Sequence, residues 1–187
     1  MLTDWNELTD EELYDRSTHG DPRAFEQLYE RREPGLYRYA LHMSGNHAIA
    51  EEATHEAFLG LIKPGSRFAP RLGSVEAYLY GAVRNLSRRM RPALPVASQD
   101  GPAPDDDILG ALIGDEMTSA LHAAIRELPD AYREAVVLCD LEERSYEEAA
   151  HLMSCPIGTV RSRLYRARAI LGAKLKALNA RPEAAAR

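Results

Sequence analysis

Cysteine is nearly missing from this chain. Cys139 and Cys155 are the only two in 187 residues, and they form no CxxC pair. Two thiols cannot build a disulfide framework or a four-thiolate zinc site. They read as small buried hydrophobes in a reducing compartment, with a redox switch between them as the alternative. No apolar run approaches the ~18 residues of a membrane span. The opening stretch, MLTDWNELTDEELYD, is acidic and has no hydrophobic signal region. The expectation is a cytoplasmic protein without membrane insertion. Catalytic signatures are missing too: there is no HExxH, no Walker or dinucleotide glycine loop and no GxSxG. His151 and Cys155 stand at i, i+4, and His47 and His55 share one helical stretch, but no third or fourth ligand has matching spacing. No enzyme, metal site or cofactor is expected.

Charge is present, and its distribution is informative. The net charge of −6 looks wrong for a protein that meets nucleic acid. Residues 1–91 hold 14 acids and 12 bases, 92–114 hold 4 acids and no bases, and 115–187 hold 11 of each. The bases gather in two strips, one at 84–91 and a denser one at 161–176. The denser strip has Arg161, Arg163, Arg166, Arg168, Lys174 and Lys176 with no acid among them. An acidic total suppresses tight non-specific DNA binding by the free chain, so a partner would have to bring it to DNA.

The denser strip lies in SYEEAAHLMSCPIGTVRSRLYRARAILGAKLK, residues 145–176. Ser145 followed by Glu148 is a capping box and starts a helix whose apolar side is Ala149, Ala150, Leu152 and Met153. Residues 155–158, Cys-Pro-Ile-Gly, interrupt it, and proline's fixed φ suits the first turn of a new helix. From Pro156 the second helix carries Ile157, Val160, Leu164, Ala167 and Leu171 on one stripe, the spacing of a helix packed on one side. Its other side has Thr159, Arg161, Ser162, Tyr165, Arg166 and Arg168. A short helix, a tight turn and a longer helix with a basic, hydroxyl-rich front predict a helix-turn-helix. A solvated face on an ordinary bundle helix would show the same arginines, but the capped helix, proline turn and one-sided stripe in series favour DNA. Guanidinium groups can neutralise phosphates or clasp guanine edges, and Ser162, Thr159 and Tyr165 suit phosphate or base contacts.

The segment LPDAYREAVVLCDLEERSYEEAAHLMSCPIGTVRSRLYRARAILGAKL resembles the C-terminal domain of the ECF (extracytoplasmic function) sigma factors, the small two-domain class of the sigma-70 family. The matching residues are Leu128, Pro129, Arg133 and Leu138, then Ser145, Tyr146, Glu148 and Ala150. They continue with Pro156, Gly158 to Val160, Ser162 to Leu164 and Arg166 to Arg168. Ala149 departs from the family's isoleucine. The resemblance implies minus-35 recognition by Thr159, Arg161, Ser162, Arg163, Tyr165 and Arg166.

The N-terminal half reads as all helix. Thr9 with Glu12 forms a capping box for a helix through about residue 17. Gly20 stops it, and Asp21 caps the next with Pro22 at its first position. Ala24, Phe25, Leu28 and Tyr29 make a buried stripe, Pro34–Gly35 predicts a kink or break, and helix continues to Gly45. A third helix spans about 47–62, with Ala50, Ala53, Thr54, Ala57, Phe58 and Leu61 inward and Glu51, Glu52, His55, Glu56 and Leu59 outward. An acidic face is ordinarily just solvated, but one around an exposed leucine also fits a basic partner helix. FEQLYERREPGLYRYALHMSGNHAIAEEATHEAF resembles the family segment that clamps the coiled coil of the RNA polymerase β′ subunit. The resemblance implies docking by Glu52, His55, Glu56 and Leu59, with Glu52 for the usual Asp and His55 for the usual Gln.

After a turn-rich loop, Ser74 caps a helix with Val75, Leu79, Ala82, Val83, Leu86 and Met90 inward and Tyr80, Arg84, Ser87, Arg88 and Arg91 outward. Aromatic rings beside arginines can carry unstacked bases. EAYLYGAVRNLSRRMR resembles the family segment that recognises and opens the minus-10 element, which implies roles for Tyr78, Tyr80, Arg84, Asn85 and Arg88. Tyr78 replaces the usual Trp, and Gly81 a residue that is often Arg.

Residues 92–114 are rich in Pro, Gly, Ala and Asp and read as a flexible acidic linker. About 20 extended residues reach roughly 66–72 Å, or about 20 base pairs of DNA. By resemblance, Asp105 to Asp107 enter the polymerase's RNA path. The expected architecture is all-α, with two small helical domains: a helical bundle over 1–91 and a helix-turn-helix domain over 115–178, then a tail over 179–187. The resemblance implies an alternative sigma factor that binds core RNA polymerase through the β′ coiled coil and β flap, together with promoter DNA and an anti-sigma factor. A free-standing helix-turn-helix repressor would instead bind its operator tightly without polymerase, and a metal-dependent helical enzyme would carry metal.

Overall fold

The computed structural model describes residue 5 and residues 7–63, 66, 68–69, 71, 73–91 and 115–179. Among these the regular elements are helical throughout, as the residue patterns predict. The chain divides into two compact units, one holding the first four helices and one holding most of the described residues after 114. The linker expected over 92–114, with Asp105 to Asp107, and the tail from residue 180 lie outside the described residues.

In the first unit, α1 (Asp10–Thr18) opens on the expected capping box. The Glu12 amide donates to Thr9 Oγ1 at 3.2 Å and the Thr9 amide to Glu12 Oε2 at 2.8 Å. Asp21 caps α2 (Pro22–Ser44) by accepting from the Arg23 amide at 3.0 Å, with Pro22 at the first helical position. Gly45, at φ 72°, ends α2 in the left-handed conformation that glycine adopts without strain, and its amide donates to Leu41 O at 2.7 Å. α2 runs unbroken through Pro34, where the sequence predicts a kink or break. Proline removes one helical hydrogen bond, but Pro34 itself faces solvent. Leu28 before it and Leu36, Tyr39 and Ala40 after it are buried, so packing on both sides holds the helix together.

α3 (His47–Ile62) is capped by Asn46, whose Oδ1 accepts from the Ile49 amide at 2.9 Å. α4 (Val75–Met90) is capped by Ser74, and Glu11 on α1 accepts from its first amide at 3.0 Å. Asp10, only 5% exposed, takes Arg31 Nη1 at 3.0 Å and the Nε of Arg32, whose Nη1 reaches Glu76 at 2.6 Å. Arg32 of α2 thus ties the starts of α1 and α4 together and Arg31 reinforces the α1 end, with the acids where a helix dipole favours them.

The second unit contains α5 (Asp115–Arg126) and α6 (Asp130–Val136), which runs on into a π-helical turn (Val137–Leu141), then α7 (Tyr146–Leu152) and α8 (Ile157–Asn179). Arg133 is buried, and its guanidinium donates to the carbonyls of Ile125 at 3.2 Å, Leu128 at 2.9 Å and Arg126. Carbonyls at a helix C-terminus have no intrahelical partner. Arg133 supplies one and so sets the angle between α5 and α6. α6 and α5 both pack on α8, with Leu128, Val137, Leu138, Val160 and Leu164 in the core.

Candidate nucleic-acid interface and docking face

The helix-turn-helix is assembled as its residues predict. Ser145 Oγ accepts from the Glu148 amide at 3.2 Å while Glu148 Oε2 accepts from the Ser145 amide at 2.8 Å and hydroxyl at 2.7 Å. Those side-chain and backbone hydrogen bonds from Ser145 hold the Glu148 carboxyl below its ordinary pKa. α7 buries Ala149, Ala150 and Leu152, and Met153 is buried just beyond it. The break covers residues 153–156, two residues earlier than the expected 155–158. Ser154 makes it at φ 50°, Pro156 O accepts from the Thr159 and Val160 amides at 2.8 and 3.3 Å, and Gly158 is already helical.

On α8 the buried stripe is Val160, Leu164, Ala167 and Leu171. Ile157, expected on that stripe, is instead 36% exposed, because the first helical residue projects past the start of the packed interface. Arg161, Ser162, Tyr165 and Arg166 share the opposite face and are all exposed, Tyr165 by 78%. Ser162 Oγ donates to Thr159 O at 3.0 Å, a helical back-bond. Thr159 and Arg163 are half-buried at the edges of this face, and Arg163 Nη1 lies 3.9 Å from Cys155 Sγ.

Two other bases of α8 are engaged within the unit, whereas Lys176 is exposed. Arg168 makes a two-point contact with Asp140 at 2.5 and 3.2 Å, and Lys174 pairs with Glu127. Hydrogen bonding to Asp140, followed by its charge and, more weakly, the Tyr146 phenol, raises the Arg168 pKa. Burial and the Asp140 charge push the nearby Cys139 thiol up, away from the thiolate form.

In the first unit α3 turns inward the six residues expected, and Glu51, Glu52, His55, Glu56 and Leu59 are exposed, joined by Ile62. Among the described residues Glu52, His55 and Glu56 form no ion pair. An acidic rim around 41%-exposed Leu59 is therefore available to a partner.

α4 corrects the sequence reading at two positions. Tyr80, expected outward as a platform for bases, is 3% exposed and lies against Tyr39 with ring centroids 4.9 Å apart. Ser87, also expected outward, is 2% exposed. The helix packs on both α2 and α3, so its buried arc is wider than a single stripe and turned towards Tyr80 and Ser87. Ala82, Leu86 and Met90 are only half-buried as a result. Tyr78 is half-buried, with its hydroxyl donating to Gly60 O at 3.3 Å and its ring 5.4 Å from Phe68. Asn85 and Arg88 are exposed and Arg84 is partly so, leaving a polar outer strip with one aromatic edge. Reasoning on residue types missed the structural parts of Asp10 and Arg133, which no local spacing announces.

Family comparison agrees with the division into two units. The sigma-70 region 2 family model matches residues 28–91, and the sigma-70 region 4 family model matches residues 118–171. The chain is 34% identical over 181 residues to the ECF RNA polymerase sigma factor SigE of Mycolicibacterium smegmatis, covering 89% of this chain and 69% of that one. Its fold resembles CnrH in a complex with the cytosolic domain of CnrY, at a TM-score of 0.66, 23% identity and coverage of 90% of this chain and 97% of that one. It also resembles the sigma factor RpoE of Bartonella quintana in a complex with the anti-sigma factor NepR, at a TM-score of 0.60, 24% identity and coverage of 81% and 96%. With region 2 and region 4 in order on one all-helical chain, this protein belongs to the ECF sigma factors of the sigma-70 family.

Proposed function

We propose that residues 1–91 dock on core RNA polymerase and open the minus-10 element, while residues 115–178 read the minus-35 element. The linker over 92–114 would join the two. The observation that carries this reading is the front of α8: Arg161, Ser162, Tyr165 and Arg166 are exposed together and unpaired with any acid. Guanidinium groups on a helix that enters the major groove recognise guanine edges and phosphates. Thr159 and Arg163 flank them. On α4 the strip Arg84, Asn85 and Arg88 with the Tyr78 edge meets the minus-10 strand. Tyr80 acts from within, fixing α4 on α2. The acidic face of α3, with Glu52, His55, Glu56 and Leu59, fits the basic coiled coil of β′, and the second unit fits the β flap.

The chain carries out no catalytic step of its own, because its work is to position DNA for the polymerase. Among the described residues no helix is long and apolar enough to cross a membrane, which suits action in the bacterial cytoplasm. An anti-sigma factor is a further partner, as one is for the structurally similar sigma factor RpoE.

Reconstitution with core polymerase on a promoter library, read by run-off transcription, tests the assignment. Enrichment of promoters with defined minus-10 and minus-35 elements, together with weak DNA binding by the free protein, is the expected result. Tight operator binding without polymerase would overturn it in favour of a repressor.

A further inference from the structure

The two arginines at the front of α8 each meet a tyrosine that belongs to another element. The guanidinium carbon of Arg161 lies 5.6 Å from the centroid of the Tyr146 ring, at the start of α7. Arg166 Nη1 lies 3.5 Å from the Tyr132 hydroxyl on α6, and that hydrogen bond raises the pKa of a guanidinium that is already always charged. Tyr146 and Tyr132 are both half-buried, so their rings are held by the unit while their outer edges reach the working face. The phenol end of Tyr146 adjoins Arg168, which Asp140 clamps at two points and so keeps off the working face.

We propose that Tyr146 and Tyr132 are positioning residues for promoter reading: the Tyr146 ring carries Arg161 and the Tyr132 hydroxyl holds Arg166, orienting both guanidinium planes before DNA arrives. This inference rests on the assignment of the α8 front to minus-35 recognition. A bidentate contact to guanine needs one orientation of the fork, whereas a phosphate accepts many. Restraining a long side chain in its bound orientation lowers the ordering cost of binding. The restraint therefore acts on discrimination between base pairs more than on total affinity. Both tyrosines lie outside α8, so the reading helix can keep its own sequence while its neighbours set how sharply it reads.

The test uses the full-length protein with core polymerase. The probes are a promoter fragment selected by the wild-type holoenzyme from a library randomised at the minus-35 positions, and the same fragment with single G·C to A·T changes there. The readout is the ratio of run-off transcript from selected and changed fragments. Tyr146→Leu, which removes the ring, is expected to lower that ratio about 3-fold, within the range of a cation–π contact at an exposed site. Tyr146→Phe keeps the ring and leaves the ratio within about 2-fold of wild type. Tyr132→Phe lowers the ratio about 2-fold, as expected for one hydrogen bond. In an Arg161→Ala background Tyr146→Leu should have no further effect on the ratio, which a role confined to stability would not predict. Equal loss of transcript from both fragments, or an effect that persists without Arg161, overturns the inference while leaving minus-35 reading by α8 intact. If the wild-type holoenzyme selects no minus-35 sequence at all, that reading and this inference fall together.

Discussion

The two units contrast in the buried charge that ties their helices together and in the charge of one exposed face. In the first, the buried charge is an acid, Asp10, gripped by Arg31 and Arg32, and the outward face of α3 is acidic. In the second, the buried charge that sets the helix angle is a base, Arg133, gripping three carbonyls, and the front of α8 is basic. The inner charges are satisfied within the chain. On the proposed docking and DNA-reading faces, Glu52, His55 and Glu56 have no ion pair among the described residues, and Arg161 and Arg166 meet only neutral tyrosines. Arg168 and Lys174 are as cationic as Arg161, yet each is spent on an acid of its own unit. Partnering, more than charge count, separates the charges that brace the fold from those on the proposed binding faces.

The interior half of the comparison breaks most violently at Arg133. Arg133→Ala removes a buried guanidinium that serves three carbonyls, of which Ile125 O keeps the Leu128 amide at 3.1 Å, at a cost of about 3–5 kcal/mol. In the first unit Asp10→Ala leaves two guanidiniums that are 30% and 25% exposed and can rehydrate, so its cost is smaller, about 2 kcal/mol. Arg133→Lys keeps the charge but loses the fork and should fall between these values. Urea unfolding followed by circular dichroism measures all three, and an Asp10 variant less stable than the Arg133 variant would invert the ranking.

The exterior half separates by function. If α3 docks as proposed, Glu52→Lys places a like charge against a basic partner, which costs several kcal/mol at an interface, so core polymerase binding should weaken by about 100-fold. Arg161→Ala should leave that binding unchanged and reduce transcription from the selected promoter by about 10- to 100-fold, the worth of one bidentate base contact. Affinity for labelled core enzyme and run-off yield, measured on both variants, should give two opposite patterns. A Glu52→Lys protein that binds core normally would remove α3 from the docking face.

A milder change tests how far the reading helix depends on its neighbour. Ser145→Ala removes the cap of α7 and should cost about 1 kcal/mol, read as a lower midpoint of thermal unfolding. The Glu148 carboxyl, held below its ordinary pKa by Ser145, stabilises the cap fully above about pH 4.3. That contribution disappears as pH falls through the lowered folded-state value. The Ser145→Ala protein should show a shallower loss of stability over the same acid range.

Much of this was legible because it is local. The caps at Thr9, Asp21, Ser74 and Ser145 are spacings of two or three residues, and each forms as read. The six inward residues of α3 follow one helical period. Illegible features depend on what lies opposite. Pro34 is tolerated because flanking residues are packed, Tyr80 and Ser87 are buried because α4 has two neighbours, and Ile157 is exposed because the interface starts after it. The family resemblance names Arg133 as a motif residue, but the carbonyls it holds belong to the end of α5 and the turn after it. On the working faces, residue type gave the charge, and only the contacts tell Arg161 from Arg168.

The smallest effect sharpens the contrast through pH. His122 on α5 has a lowered pKa, first because burial disfavours the imidazolium and second because Arg126 is nearby. The unfolded chain then binds a proton near the ordinary value of about 6.5, while the folded unit resists it to a lower pH. Between those values the unfolded state holds more protons, so stability is fully present above about pH 6.5 and declines as pH falls towards the folded-state value. The side chain is only partly buried, so solvent screening keeps the change small. His122→Gln should flatten the stability profile of the second unit between pH 7 and 5, and the Ser145→Ala profile over that window should remain parallel to wild type. Chemical denaturation at stepped pH decides it: a wild-type midpoint constant across the window would mean that α5 moves aside to let the proton in.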